Sequence, residues 1–282
     1  MNQNLIKVAA AQIDGAYGDI GANLSRHLGL IAQARASAVG LLVFPELSLC
    51  GHSAGKDALR LAMARDDPVI DALAEASTDL HTVFGFIEEA PAGQFYNSQA
   101  TVANGKLIHV HRKVQLATYG KLRDGLYYAA GTVCGSFPLD ARWQMATPIC
   151  ADLWNPALVH ALACDGATLL AAPVSSAREA VGAGFDNPSA WDINLRFYAL
   201  TYGVAIVMAN RVGNEGMMSF WGGSRILDPF GKTVALGSAS EEGLIIGEID
   251  YESVRQARFL LPTVRDARAL RQRAATHALA QD

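Results

Sequence analysis

Short apolar runs of strand length alternate with segments of helical period from one end of this 282-residue chain to the other. That alternation belongs to an α/β fold, in which helices cover sheets and buried strands read as near-continuous Val, Ile and Leu. The runs predict strands at 5–13, 41–45, 82–87, 96–103, 106–112, 145–150, 168–173, 204–209 and 243–249. Helices are predicted at 23–38, 57–65, 68–78, 157–164 and 190–202. In the first helix Leu24, Leu28, Ile31 and Ala34 form one stripe behind Asn23, which has the chemistry of an N-cap. Asn104-Gly105 predicts a hairpin between two strands, and Asp228-Pro229-Phe230-Gly231 a turn near the C-terminal end. Residues 1–262 therefore read as one α/β domain. Residues 263–282, polar and Arg-rich, read as a terminal arm that frays or docks on a partner subunit.

Composition excludes several roles. Apolar residues make up 51% of the chain and charged ones 18%, which suits a large buried core. The net charge is −4 and no basic patch stands out, which argues against nucleic acid. The apolar run at 168–174 is of strand length, too short to cross a membrane. The opening MNQNLIKVAAAQID lacks a basic stretch followed by an export-type apolar core, so a cytoplasmic location is expected. Cys50, Cys134, Cys150 and Cys164 show no paired metal-ligand spacing and read as free thiols.

Three segments place a reactive group just after a strand-like run. LLVFPELSLCGH carries Glu46, HRKVQLATYG carries Lys113, and TPICADLWNP carries Cys150. A thiol on the turn after a strand is exposed beside backbone N–H groups able to hold an oxyanion, whereas an isolated cysteine is more often inert packing. A carboxylate directly behind five apolar or ring residues needs a partner or a task, unless it lies exposed on a rim. Alternation puts Leu107, His109, His111 and Lys113 on one face of their strand, with Ile108, Val110 and Arg112 on the other. The His-x-His pair also permits a metal reading, for which no third ligand is identifiable. Together a carboxylate, an ammonium and a thiol can cleave a carbon–nitrogen bond through a thioester.

The order Glu, Lys, Cys and the wording of all three segments resemble the nitrilase superfamily of carbon–nitrogen hydrolases. The likeness extends along the chain: KVAAAQIDGAYGDIGANL, RFYALTYGVAIVMANRVGNEG, FWGGSRILDPFGK and EEGLIIGEID resemble other stretches of that family. The resemblance implies a four-layer α-β-β-α sandwich, pairing into a homodimer or larger homo-oligomer, and a chemistry that needs no metal or other cofactor. It implies Cys150 as nucleophile, Glu46 as base, and Lys113 with the Ala151 N–H as oxyanion donors. TYGKLRDGLYYAAG resembles a segment in which many members carry a second glutamate, and places Asp124 there, one methylene shorter.

For the substrate, the resemblance favours a small carboxamide releasing ammonia. Members that take dicarboxylic monoamides or carbamoyl amino acids often carry arginine near the position of Trp154, which cannot supply that charge. The ADLW wording is closer to the glutaminase domains of NAD synthetases. Tyr119, Ser175 and Arg178 are further substrate-binding candidates; Tyr119 could equally be a core tyrosine, and Arg178 could equally make a surface ion pair. Trp191 and Phe197 are expected to pack the 190–202 helix. Nitrilase or carbamoylase chemistry, a glutaminase-type subunit and an inactive binding protein remain alternatives. An activated Cys150 would alkylate faster than the other three cysteines.

Overall fold

The computed structural model describes residues 4–270. Successive residues of β1 (Leu5–Gln12) enter different cores, which defines the layering. Val8 and Ala10 point into one apolar cluster, Ala9 and Ala11 into another. Both faces of the strand are buried, and this is why it reads as a continuous apolar run.

The remaining strands are β2 (Leu41–Val43), β3 (His81–Ala90), β4 (Gln94–Ala103), β5 (Lys106–Arg112), β6 (Phe137–Pro138), β7 (Gln144–Ala146), β8 (Leu169–Val174), β9 (Ala205–Asn210), β10 (Asn214–Glu215), β11 (Met218–Ser219), β12 (Arg225–Leu227), β13 (Thr233–Leu236) and β14 (Gly243–Asp250). They form two six-stranded sheets, ordered β14-β1-β2-β3-β4-β5 and β13-β12-β9-β8-β7-β6, plus a small β10–β11 ribbon. In each sheet three central strands run parallel, β1-β2-β3 and β7-β8-β9, with antiparallel strands outside them.

The helices are α1 (Ile20–Ala36), α2 (Ala58–Leu61), α3 (Pro68–Ala76), α4 (Pro156–Asp165), α5 (Asn187–Tyr202) and α6 (Tyr251–Leu260). Between the sheets Val8, Leu41 and Val83 meet Met145, Leu169 and Val207. Outside the first sheet, Leu42, Phe84 and Phe86 pack on Ile31 of α1 and Leu73 of α3. Outside the second, Leu170, Ala172 and Met208 pack on Leu162 of α4 and Leu195 of α5. The result is the four-layer α-β-β-α sandwich.

Several elements differ from expectation. Asp19, not Asn23, caps α1 by accepting the Ala22 N–H. Asn23 is instead buried one turn inside, bonding both the N–H and C=O of Ala16 and the Leu49 carbonyl. The 57–65 helix shrinks to α2 after a short 3-10 turn, because Met63 bridges to Glu88 at the sheet edge. The 145–150 strand ends at Ala146, and α6 has no counterpart among the predicted helices. Residues 263–270 are helical; 271–282, the rest of the expected arm, lie outside the described residues. No described helix is long and apolar enough to cross a membrane.

Candidate active site

Glu46, Cys150 and Ser175 follow the carboxyl ends of β2, β7 and β8, the edge where α/β sheets present ligands. The turn carrying Glu46 is tight, with Leu47 at φ +50° and its carbonyl accepting from Cys50 and Gly51 N–H groups. It presses onto β3 at Gly85, where a Cβ would stand 2.2 Å from the Leu47 nitrogen. Buried polar groups of α1 brace it. His27 binds the Asn23 carbonyl at 2.7 Å and Ser48 Oγ at 2.9 Å, stacking on Phe44, and Ser48 Oγ accepts the Gly85 N–H. Burial pushes His27 down to about 4.

Lys113 continues β5. Opposite Thr101 and Val102 the register slips past Ile108, so Leu107 packs with the outer cluster while His109 stacks on Phe137 between the sheets. The expected shared face therefore holds for His109, His111 and Lys113 but not for Leu107; the bulge breaks the alternation. The Lys113 N–H bonds the Asn97 carbonyl, which turns its side chain toward Glu46. Lys113 Nζ donates to Glu46 Oε1 at 2.5 Å and to Asp124 Oδ2 at 2.7 Å. Asn97 Nδ2 donates to the same Glu46 oxygen at 2.9 Å. Asp124 reaches the lysine directly despite its shorter side chain, because it opens a 3-10 turn and also accepts the Ala117 N–H at 3.1 Å.

Cys150 begins the 3-10 segment Cys150–Trp154 with φ +42°, a left-handed conformation that is costly for a side-chain-bearing residue. Burial pushes its thiol well above the ordinary thiol range, and the Glu46 carboxylate adds to this. The Lys113 charge and a backbone hydrogen bond with Ser175 oppose it. Burial alone would push the Lys113 ammonium down, but Glu46 and Asp124 outweigh it and hold the group well above its usual value. The resting site thus pairs a neutral thiol with a carboxylate already engaged by a cation.

Asp152, within the ADLW stretch, joins the segments. Its Oδ1 accepts the Val114 and Gln115 N–H groups at 3.0 and 2.7 Å. Its Oδ2 accepts the Ile149 N–H and contacts His111 Nε2, both at 2.9 Å. This fully buried carboxylate ties the chain after Lys113 to the chain before Cys150. His111 is thereby occupied as a structural partner. Among the described residues, no group of three or more His, Cys, Asp or Glu is placed to hold a metal.

The three groups open into a cleft of about 420 Å³ walled by Leu47, Tyr119, Leu122, Trp154, Val181 and Trp191. Ser175 also lines it and bonds His52 Nδ1 at 3.1 Å. Trp191 packs α5 and also faces the cleft, edge-on to Trp154 and donating to Ser176 Oγ at 3.0 Å. Ala151, next to the nucleophile, is fully buried. Arg178 is exposed, does not line the cleft, and acts on Asp186. Phe197 of the same helix is half exposed. Sequence reasoning missed His52 and Asn97, which lie on segments it had marked but carry no motif of their own.

Similarity to known proteins agrees with this geometry. Residues 7–259 match the family model of carbon–nitrogen hydrolases. The chain belongs to that family, within the nitrilase superfamily. It is 30% identical over 267 residues to a hydrolase encoded 5′ of pqqF in Pseudomonas protegens, covering 93% of this chain and 89% of that one. It is 29% identical over 251 residues to the glutamine-dependent NAD(+) synthetase of Thermotoga maritima, covering 88% of this chain but 42% of the synthetase. An amidase of Nesterenkonia AN1 superposes with a TM-score of 0.80 at 22% identity, over 97% of this carbon–nitrogen hydrolase and 98% of the amidase.

Proposed function

We propose that this carbon–nitrogen hydrolase cleaves a small primary carboxamide through a thioester on Cys150, releasing ammonia. The observation that carries the reading is the Glu46–Lys113–Asp124 chain of contacts beside the Cys150 thiol in one cleft. Cys150 attacks the carbonyl carbon as its proton passes to Glu46, so no free thiolate is needed beforehand. Lys113 Nζ and the Ala151 N–H hold the oxyanion. Glu46 returns the proton to the departing nitrogen, then takes one from the water that hydrolyses the thioester and gives it to the Cys150 sulfur as the acid leaves. Tyr119, Trp154 and Trp191 supply an uncharged wall beside the reacting carbonyl, which suits an apolar segment there.

Ammonia release by the parent and by Cys150→Ala tests the reading; full turnover by the variant would rule out the covalent route. A second reading, a glutaminase that passes ammonia to a separate synthetase, is favoured by the synthetase similarity. It predicts glutamine turnover that appears only with the partner present. The outward face of α5, where Ile193, Phe197 and Leu200 are exposed, supports self-association into a dimer. Sedimentation showing a stable, active monomer would remove that part.

A further inference from the structure

A second cavity, about 560 Å³, adjoins the catalytic cleft, and His52, Leu122 and Asp124 line both. A single elongated molecule can therefore place its carbonyl at Cys150 and its far end in this second space. The chemistry of the two spaces differs sharply. The cleft's cation, Lys113, is engaged by two carboxylates, whereas the second cavity is lined by Lys56, Lys121 and Arg123.

None of these three cations forms a salt bridge within the described residues. Lys56 lies over the Tyr17 ring, whose hydroxyl takes up the neighbouring Asp57 carboxylate. Arg123 spends one nitrogen on the Gly120 and Leu122 carbonyls, leaving its remaining guanidinium donors for another acceptor. Lys121 acts on Glu179, a partly buried carboxylate already engaged by the Ser219 N–H. Asp124, the carboxylate on the shared wall, is taken up by Lys113 and the Ala117 N–H. Tyr128 also lines the cavity and has a buried hydroxyl with no hydrogen-bond partner among the described residues. Three cations around one recess, none held in a salt bridge among the described residues, attract an anion and repel a cation.

We propose that the acyl chain of the substrate carries an anionic group, carboxylate or phosphate, bound in this second cavity by Lys56, Lys121 and Arg123. This rests on the amide-hydrolase reading, because an ammonia-releasing amide has its only tail on the acyl side. The uncharged wall near Trp154 then faces the apolar middle of the molecule, and the charge is recognised at its end. The loop that supplies Lys121 and Arg123 is held for this purpose: Gly120 sits at φ +58°, where a Cβ would meet the Ala180 carbonyl at 2.1 Å, and the Lys121 N–H bonds that carbonyl.

The test uses the full chain as Cys150→Ala, so that amides bind without turnover. Calorimetric titration compares valeramide with glutaramate, its carboxylate-tailed counterpart, and with a phosphonate-tailed amide of similar length. The proposal expects an anionic amide to bind at least about tenfold tighter than valeramide, or ~1.4 kcal/mol, a preference that shrinks as salt rises. Which of the two anions shows it identifies the tail. In Lys56→Ala/Lys121→Ala/Arg123→Ala the ratio of anionic to neutral affinity should fall close to one. Loss of the cations alone leaves valeramide affinity unchanged, whereas a collapsed loop weakens valeramide as well, so the valeramide affinity separates recognition from folding. Equal binding of all three amides, no binding of either anionic amide, or a preference that survives the triple substitution would each overturn the proposal. Parallel ammonia release from valeramide by the parent reports on the hydrolase reading alone, so the two can fail separately.

Discussion

Asp152 offers the sharpest test of how the site is assembled. It is fully buried and serves four donors: three backbone N–H groups and the His111 ring. Truncation to Ala would strand all of them, and at ~1–3 kcal/mol for each buried unsatisfied group the loss reaches several kcal/mol, comparable with the stability of a whole domain. Asp152→Asn is the informative change. Its carbonyl oxygen can keep the Val114 and Gln115 donors, while its NH₂ faces Ile149 N–H and His111 Nε2. The imidazole can switch tautomer and accept, but the Ile149 N–H cannot, so one donor is orphaned at a cost of ~1–3 kcal/mol.

That orphan lies one residue before Cys150. The loosened segment is therefore the nucleophile's, while the Lys113 side keeps its anchor. The expected result is a Tm lowered by several degrees, from ~2–4 °C per kcal/mol in a chain of this size. It comes with a kcat fall of about a hundredfold, the order of effect of misplacing a reacting group by an ångström. KM should move little, since Asp152 does not line the cleft. Steady-state ammonia release and a thermal melt on the same preparation give both numbers. A kcat within twofold of the parent beside a lowered Tm would show that Asp152 stabilises without positioning. An unchanged Tm would refute the hydrogen-bond argument itself.

Glu46→Gln should lower kcat by ~10²–10⁴ while leaving substrate binding largely intact, because it removes the proton acceptor; turnover within tenfold of the parent would assign the base elsewhere. The same variant should bring the alkylation midpoint of Cys150 down, since the carboxylate helps push the thiol up; a midpoint moving up would contradict that. Gly85→Ala should unfold the Glu46 turn or abolish activity, given the 2.2 Å approach to Leu47, and an active, stable variant would show the turn can move. His27 titrates at about 4 when folded, against its ordinary 6.5, so the unfolded chain binds the extra proton first. Its contribution is complete above about pH 6.5 and is lost as pH falls toward 4, worth about 3 kcal/mol over that window. Urea unfolding at several pH values should show this slope, and His27→Gln should flatten it.

What the sequence shows of this molecule follows from where the signal is local. Buried parallel strands announce themselves because both faces are apolar, and Glu46, Lys113 and Cys150 stand out because each ends such a run. The late β12–β13 hairpin is visible through its Asp-Pro-Phe-Gly turn. Other features are decided by contacts between distant segments. Asn23 has N-cap chemistry, yet the Ala16 and Leu49 backbone takes up its side chain, and Asp19 caps the helix instead. Asp124 looks too short for its role until the 3-10 turn brings it within 2.7 Å of Lys113.

The fast alkylation expected of an activated Cys150 presumes an acidic thiol. The ordinary route to a reactive cysteine is a lowered thiol pKa, and in this cleft burial and Glu46 work against it. Cys50 and Cys134 are pushed up as well, to about 12, so acidity alone does not distinguish the nucleophile from its neighbours. What sets Cys150 apart is the carboxylate beside it and the strained turn that presents it to the cleft. A reagent carrying an amide carbonyl would draw on both, whereas a plain alkyl halide would draw on neither. Selectivity for Cys150 should therefore appear with the first kind of probe and fade with the second, and equal labelling by both would mean that acidity governs after all.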